Sequence, residues 1–304
     1  MQKTTAFAPC HITGIFQISD ENPDMLMRGS RGAGISLAKG VRTTVTSDDN
    51  STNHIQILIN GRITEACQVS KHLLRKFLSK LDKDRTSALT VEHEIEMPVG
   101  AGFGTSGAAA LSLAIALSKN LALDMSTIEA AQIAHETEVE CKTGLGTVIA
   151  ETYGGVEIRT LPGAPGIGKI RKIPVEKHAV VACTSFGPLS TRKLLGSDET
   201  RRRINELGGK LVDELAEKPT CINFMRLSRQ FAEHVGLITG RVRAVLDETD
   251  KAGYVCSMPM FGETVFTITD QSATDRLLRI FAQHSLKDRI IVSEIDFEGA
   301  RLLR

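Results

Sequence analysis

The chain has no tryptophan, and aromatic residues make up only 4% of its 304 positions. That scarcity argues against a stacking platform for single-stranded nucleic acid. Neither sign of charge is in excess. The net charge is +1, so there is no global attraction to nucleic acid or to an acidic membrane surface. Long apolar runs are also missing. The most apolar stretch, 108–117, is too short to cross a bilayer. No charged segment leads into an apolar stretch at the N-terminus, so no signal peptide is expected. The cysteines (Cys10, Cys67, Cys141, Cys183, Cys221 and Cys256) are scattered, with no C-x-x-C pair. Zinc is therefore not expected, and buried reduced thiols in the cytoplasm are. The sharpest basic run, Arg201 to Arg203, is followed by Ile204, Leu207 and Leu211 at helical spacing, which reads as a solvated helix face.

Glycine, in contrast, is concentrated where it matters. Residues 98–107 read Pro98-Val-Gly-Ala-Gly-Phe-Gly-Thr-Ser-Gly107 and empty into an alanine- and leucine-rich helix former. Such a loop can turn backbone N–H groups toward an anion, and the helix N-terminus adds partial positive charge. Gly100, Gly102, Gly104 and Gly107 would form the cradle, with the Thr105 and Ser106 hydroxyls at its lip. Gly102 to Gly107 also fits G-x-G-x-x-G, with Asp124 roughly twenty residues on. The context argues against a dinucleotide site. The approach, Val91-Glu-His-Glu-Ile-Glu-Met97, alternates like an antiparallel strand with one wet face, whereas a dinucleotide fold needs a strand apolar on both faces. Ser126-Thr-Ile-Glu129 opens a further helix with a capping box instead of a second strand. Residues 163–170 nearly form a P-loop, but position 170 is Ile where a hydroxyl should hold magnesium, and Pro162 flanks the stretch while Pro165 interrupts it.

Along the chain, strands are expected over 5–18 (broken at Pro9 and Gly14), 35–45, 55–63 with a tight Asn60-Gly61 turn, 91–97, 156–161 and 179–184. Residues 28–34 read as a loop and 48–53 as a turn. Helices are expected over 69–81, 106–119, 127–141, 147–152, 191–195, 199–215, 223–235, 240–252 and 273–283. Residues 255–266 read as strand, turn, strand, and 289–295 closes as a strand. Mixed elements with antiparallel signals predict an α+β fold in two parts, 1–165 and 166–304, joined through the Pro/Gly-rich connector 162–168.

Several residue sets could carry chemistry. His135 and Glu138 share one face of the 127–141 helix at i, i+3, while Glu136 and Glu140 pair at i, i+4. One glutamate with Ser106 is a sensible protein share of a magnesium site, because a metal neutralises phosphate charge during transfer. The plain alternative is an ordinary solvated helix face. Arg159 on a strand could clamp a carboxylate or simply make a salt bridge. Ser30 and Arg31, between glycines, could wrap a small ligand or serve only turn chemistry.

These motifs converge on a resemblance. Pro98-x-x-x-Gly102-x-Gly104-x-Ser106-x-Ala108 resembles the phosphate loop of the GHMP kinases, and Ala6-Phe-Ala-Pro-Cys-His-Ile-Thr-Gly14 resembles their first motif. Arg28 to Gly34, His135-Glu-Thr-Glu138, Thr143-Gly-Leu-Gly146, Phe186 to Lys193 and Ser257 to Gly262 are similar to segments of the archaeal pantoate kinases. Together they span nearly the whole chain. The resemblance implies a two-domain fold, with an N-terminal part like the second domain of ribosomal protein S5 and a ferredoxin-like C-terminal part. It implies transfer of the ATP γ-phosphate to the 4-hydroxyl of (R)-pantoate, for coenzyme A synthesis, with a homodimer possible. By the same resemblance Ser106 and Glu138 bind Mg–ATP, the loop from Pro98 to Gly107 holds the phosphates, and Ser30, Arg31, His135 and Arg159 bind pantoate. One position departs from the family. Thr147 stands where an aspartate follows Thr-Gly-Leu-Gly, and threonine is no general base near neutral pH. Glu151, one helical turn on, is a candidate replacement. A kinase for another small hydroxy acid, or a catalytically weak binding homologue, are the alternatives.

Overall fold

The computed structural model describes residues 1–48, 54–80, 88–189 and 197–303. Two long strands, β1 (Gln2–Ser19) and β2 (Gly29–Asp48), pair antiparallel along almost their whole length. Pro9 and Gly14 do not break β1. The chain instead shifts register between Pro9 and His11 and again between Thr13 and Ile15, which is how a strand absorbs a residue that cannot donate to the ladder.

Beyond β2 come β3 (Ile55–Ile59) and β4 (Arg62–Ile63), joined at Asn60-Gly61 with φ of 48° and 75°. Helix α1 (Gln68–Leu78) follows, and then β5 (Ala88–Ile95). Strand β5 runs antiparallel to β2 and parallel to β3. Its alternation holds, with Leu89, Val91 and His93 inside and Glu94 outside. Helix α2 (Thr105–Asn120) is buried on nearly every side and lies against β1 and β2. Its small residues allow that close approach, which explains an apolar run that does not alternate. Helix α3 (Thr127–Cys141) starts at the Ser126–Glu129 capping box and α4 (Thr147–Tyr153) is short.

Strands β6 (Val156–Leu161) and β7 (Lys169–Lys172) form a hairpin on the free half of β2. The segment 162–168 is the turn of this hairpin, so the crossing to the second sheet comes after Lys172. The second sheet has β8 (Ala179–Pro188) at its centre, flanked by β9 (Gly262–Asp270) and β10 (Ile290–Ser293). Helices α5 (Asp198–Glu217), α6 (Cys221–Val235), α7 (Gly240–Lys251) and α8 (Thr274–His284) accompany it. Strand β11 (Arg301–Leu303) returns to the first sheet and pairs with β1. The α+β expectation holds, with two sheets and their helices around one contiguous apolar core.

Three local expectations are corrected. Residues 29–34 are strand, not loop. Their glycines clear space: a Cβ on Gly34 would lie 2.3 Å from the His11 ring, and one on Gly32 would meet the Arg159 guanidinium. Glycine in a strand often marks such an approach. Residues 255–261 do not form a strand; Pro259 interrupts them, and a single bridge joins Ser257 to Phe266. Strand β11 has no counterpart among the expected strands. The expected helix 191–195 and most of the turn 48–53 lie outside the described residues.

Gly34→Ala is expected to cost about 1–3 kcal/mol through overpacking against the His11 ring and the Ile12 carbonyl. Urea denaturation checks it; an unchanged midpoint would show that the ring yields freely.

Candidate active site

The glycine loop between β5 and α2 is held open by its own backbone. Gly100, Gly102 and Gly104 have φ of 76°, 88° and 62°, a region that residues with a Cβ enter at a cost. Gly104 caps α2, so the first amides of that helix face the loop's hollow. Both sheets support this shape. The His11 amide donates to the Phe103 carbonyl at 2.9 Å, and the Thr264 hydroxyl donates to the Ala101 carbonyl at 2.9 Å. The Gly262 backbone lies so close that a Cβ there would be 1.9 Å from Ala101 O.

Gly100, Gly102, Gly104, Thr105 and Ser106 line a cavity of about 570 Å³. Two expected loop residues do not. Pro98 is exposed at the loop's outer shoulder. Gly107 faces inward, where a Cβ would be 2.6 Å from Thr147 Oγ1 and 2.8 Å from Glu151 Oε2.

Glu138 lies directly behind the cavity wall. Its Oε2 accepts from Ser106 Oγ at 3.1 Å and its Oε1 from Thr143 Oγ1 at 2.6 Å. Burial pushes this carboxyl up to about 7, against the pull of those two hydroxyls. Thr147 opens α4 and lines the cavity. Glu151, the expected replacement for the missing aspartate, does not reach the wall. It is buried beneath Gly104 and Gly107, and neither carboxyl oxygen has a hydrogen-bond partner. Burial, reinforced by the nearby Glu138 charge, raises it well above the usual carboxylate range.

Another part of the cavity lining is polar and deeply buried. Arg159 is 1% exposed. It donates to Glu157 through one terminal nitrogen, while its Nε has no partner. Ser30 Oγ and Arg159 Nε both crowd Gly146, where a Cβ would stand 2.2 Å and 3.0 Å from them. Glu157 also accepts from His11 Nε2 at 3.1 Å. A carboxylate can only accept, so Nε2 carries the proton, and His11 Nδ1 accepts from Thr13 Oγ1 at 3.2 Å. Burial lowers the His11 pKa.

Two expected ligand residues turn elsewhere. Arg31 neighbours Ser30 on β2, so its side chain points to the other face of the sheet, toward Asp213, Gln17 and the Thr160 carbonyl. His135 is buried off the cavity wall, with Nε2 donating to the Arg28 carbonyl at 2.9 Å. It holds the chain entering β2 rather than facing the cavity.

Sequence reasoning missed other residues. His11, Thr13, Phe16, Met260 and Phe261 line the cavity, and Glu157 organises its polar end. Phe16 and Phe261 meet edge to face, centroids 5.7 Å apart, as an apolar wall. The available signal was the polar pair His11 and Thr13 inside an otherwise apolar strand.

The raised Glu138 pKa makes stability depend on pH. The folded state holds its proton above the unfolded value of 4.5, so this contribution is present below pH 4.5 and lost as pH rises toward 7. Glu138→Gln is expected to flatten that decline by up to about 3 kcal/mol, read as urea midpoints from pH 4.5 to 8. Parallel curves for the two proteins would contradict it.

Residues 66–155 match the model of the GHMP kinases N terminal domain. The chain is 34% identical over 286 residues to a pantoate kinase of Thermococcus kodakarensis, covering 92% of each. It is 34% identical over 276 residues to a pantoate kinase of Methanocaldococcus jannaschii, covering 90% of this chain and 96% of that one. A solved structure described as a phosphotransferase related to the CoA biosynthesis pathway superposes with a TM-score of 0.90 at 31% identity, over 100% of this chain and 99% of the other. The glycine cradle, the hydroxyl–carboxylate pair beside it and the buried arginine in the same cavity thus lie in a chain that belongs to the pantoate kinase family of the GHMP kinases.

Proposed function

We propose that the protein transfers the γ-phosphate of ATP to the 4-hydroxyl of (R)-pantoate, giving (R)-4-phosphopantoate for coenzyme A biosynthesis. The observation that carries this reading is the unpartnered Nε of buried Arg159, near the position of Ser30 Oγ, in the same cavity that the glycine cradle lines. A buried guanidinium N–H without an acceptor is costly. A substrate carboxylate supplies that acceptor. Phe16 and Phe261 offer an apolar wall suited to the two methyl groups on pantoate's third carbon. Its terminal hydroxyl then faces the loop.

Mg²⁺ fits the donor set. Ser106 Oγ and the Glu138 carboxylate are hard oxygen ligands converging beside the cradle, and no cation among the described residues is a cause of the Glu138 shift. Magnesium usually takes only one or two protein ligands and fills its shell with phosphate oxygens and water. When bound it neutralises phosphate charge. The protein's own part is to hold the phosphates on the loop amides, fix the acceptor through Arg159 and Ser30, and keep water out. Phosphoryl transfer draws most of its acceleration from such positioning and charge stabilisation.

The reaction is assigned to the cytoplasm. No helix among the described residues is long and apolar enough to cross a membrane. A homodimer is proposed by family likeness alone.

Purified protein with ATP, Mg²⁺ and (R)-pantoate is expected to release ADP at about 1 s⁻¹ or faster, with little turnover of mevalonate, homoserine or shikimate, and phosphopantoate confirmed by mass. No turnover of pantoate would sink the reading. Arg159→Lys keeps a charge beside Glu157 but loses the planar fork. It is expected to raise the pantoate KM roughly 10–100-fold while the ATP KM stays within about twofold. Equal changes in both would place Arg159 outside the acceptor site. Thr147→Asp adds a third carboxyl beside Glu138 and Glu151, so turnover is expected to hold or fall. A gain of about tenfold or more would mark the natural chain as lacking a needed base.

A further inference from the structure

The acceptor hydroxyl must lose a proton, and neither Thr147, at the family's usual aspartate position, nor Glu151, its candidate replacement, is placed to take it. Thr147 lines the cavity but is itself no base. Glu151 lies behind the loop with both oxygens unpartnered, and no hydrogen bond joins it to Thr147. A different chain of groups does reach the cavity. Thr13 and His11 both line it. Thr13 Oγ1 donates to His11 Nδ1 at 3.2 Å, and His11 Nε2 donates to Glu157, 3.1 Å and 3.2 Å from its two oxygens. A hydroxyl, an imidazole in a fixed tautomer and a buried carboxylate thus stand in series, with only the hydroxyl residue partly exposed.

We propose that Thr13, His11 and Glu157 form a proton relay that accepts the proton of the substrate's attacking hydroxyl. The inference rests on the kinase reading. The acceptor O–H gives its proton to Thr13 Oγ1 as Thr13 gives its own to His11 Nδ1. The acceptor oxygen forms its bond to the γ-phosphorus, and the bond from that phosphorus to the bridging oxygen of ADP breaks with its electron pair leaving on ADP. The proton rests on His11 as an imidazolium paired with Glu157 and returns to solvent after release. No other reactant is needed.

The surroundings suit this role. Burial keeps His11 neutral, hence able to accept, at pH 7. The charged groups facing it are Glu157 and Arg159 from β6 and Lys172 from β7. Glu157 favours the imidazolium, while Arg159 and Lys172 oppose it, so the proton is held briefly and not trapped. Gly34 leaves the space in which the ring lies.

The test compares Thr13→Val, which keeps shape and loses the hydroxyl, Thr13→Ser, which restores it, and His11→Gln, whose amide can still donate to Glu157. Thr13→Val and His11→Gln are expected to lower kcat by about 10²–10⁴-fold with the ATP KM within about threefold, and Thr13→Ser to stay within about fivefold. The double variant should be no slower than the worse single one, because the groups act as a unit. The wild-type kcat profile should show an acid limb below pH 6.5 that His11→Gln removes. Thr13→Val within about threefold of wild type, or an acid limb that survives His11→Gln, overturns the relay. Failure of the pantoate reading shows in the wild type, as turnover of a different acceptor only; the same ratios measured on that acceptor then uphold or overturn the relay. One readout needs no turnover. Imidazole ¹⁵N resonances of His11 should report a neutral ring protonated at Nε2 at pH 7, with the Nδ1 signal moved by Thr13→Val. A proton on Nδ1 at pH 7 overturns the proposal.

Discussion

Backbone touches backbone where Gly262 meets Ala101, and the site depends on that contact. A glycine loop with positive φ at every second residue makes no ladder of its own, and only Ala101 and Phe103 anchor it in the core. Here it is clasped from both sides. Strand β1 offers the His11 amide, while β9 offers the Thr264 hydroxyl and the bare Gly262 backbone. The two halves of the chain therefore meet on the loop itself. Whatever shifts one sheet relative to the other moves the phosphate cradle with it.

A second dependency lies in the polar part of the cavity lining. Burying a guanidinium is costly unless a charge accompanies it. Glu157 accompanies Arg159 and orders His11 as well, so one carboxylate fixes the direction of two functional side chains. The glycines of β2 make this possible by withholding their own side chains. Arg159 pairs across from Gly32, and Glu157 across from Gly34. The motif between Arg28 and Gly34 is thus a mould for its neighbours, while Ser30 contributes an atom to the wall.

Much of this was legible in the sequence, for stated physical reasons. Helix-forming composition and clear end signals gave α2, α3 and α4 within about a residue, since the glycine loop, the Ser126–Glu129 box and Gly154 punctuate them. Of the residues singled out for chemistry, Ser106 and Arg159 do line the cavity and Glu138 accepts from Ser106 behind its wall, because a glycine loop, a helix face and a strand fix where such side chains fall. The misreadings came from tertiary contact. Glycines in β2 look like loop until Arg159 and His11 occupy the space above them. Arg31 beside Ser30 looks equivalent until the pleat sends it to the other face. His135 shares a face with Glu138, yet its imidazole ends on the Arg28 carbonyl. His11 and Glu157 stand far apart in the chain, and spacing cannot announce a pair made by two different strands.

The place of β11 bears on how the chain reaches this state. Strand β1 precedes β2 directly in the chain, and both precede β11 by more than two hundred residues. Its outer edge at Thr5 to Phe7 stays uncovered until residues 301–303 arrive, after the entire second sheet has been made. An open edge is a template for another chain. Until β11 pairs, that edge is where a neighbouring chain would add, so the closing strand guards against pairing between copies.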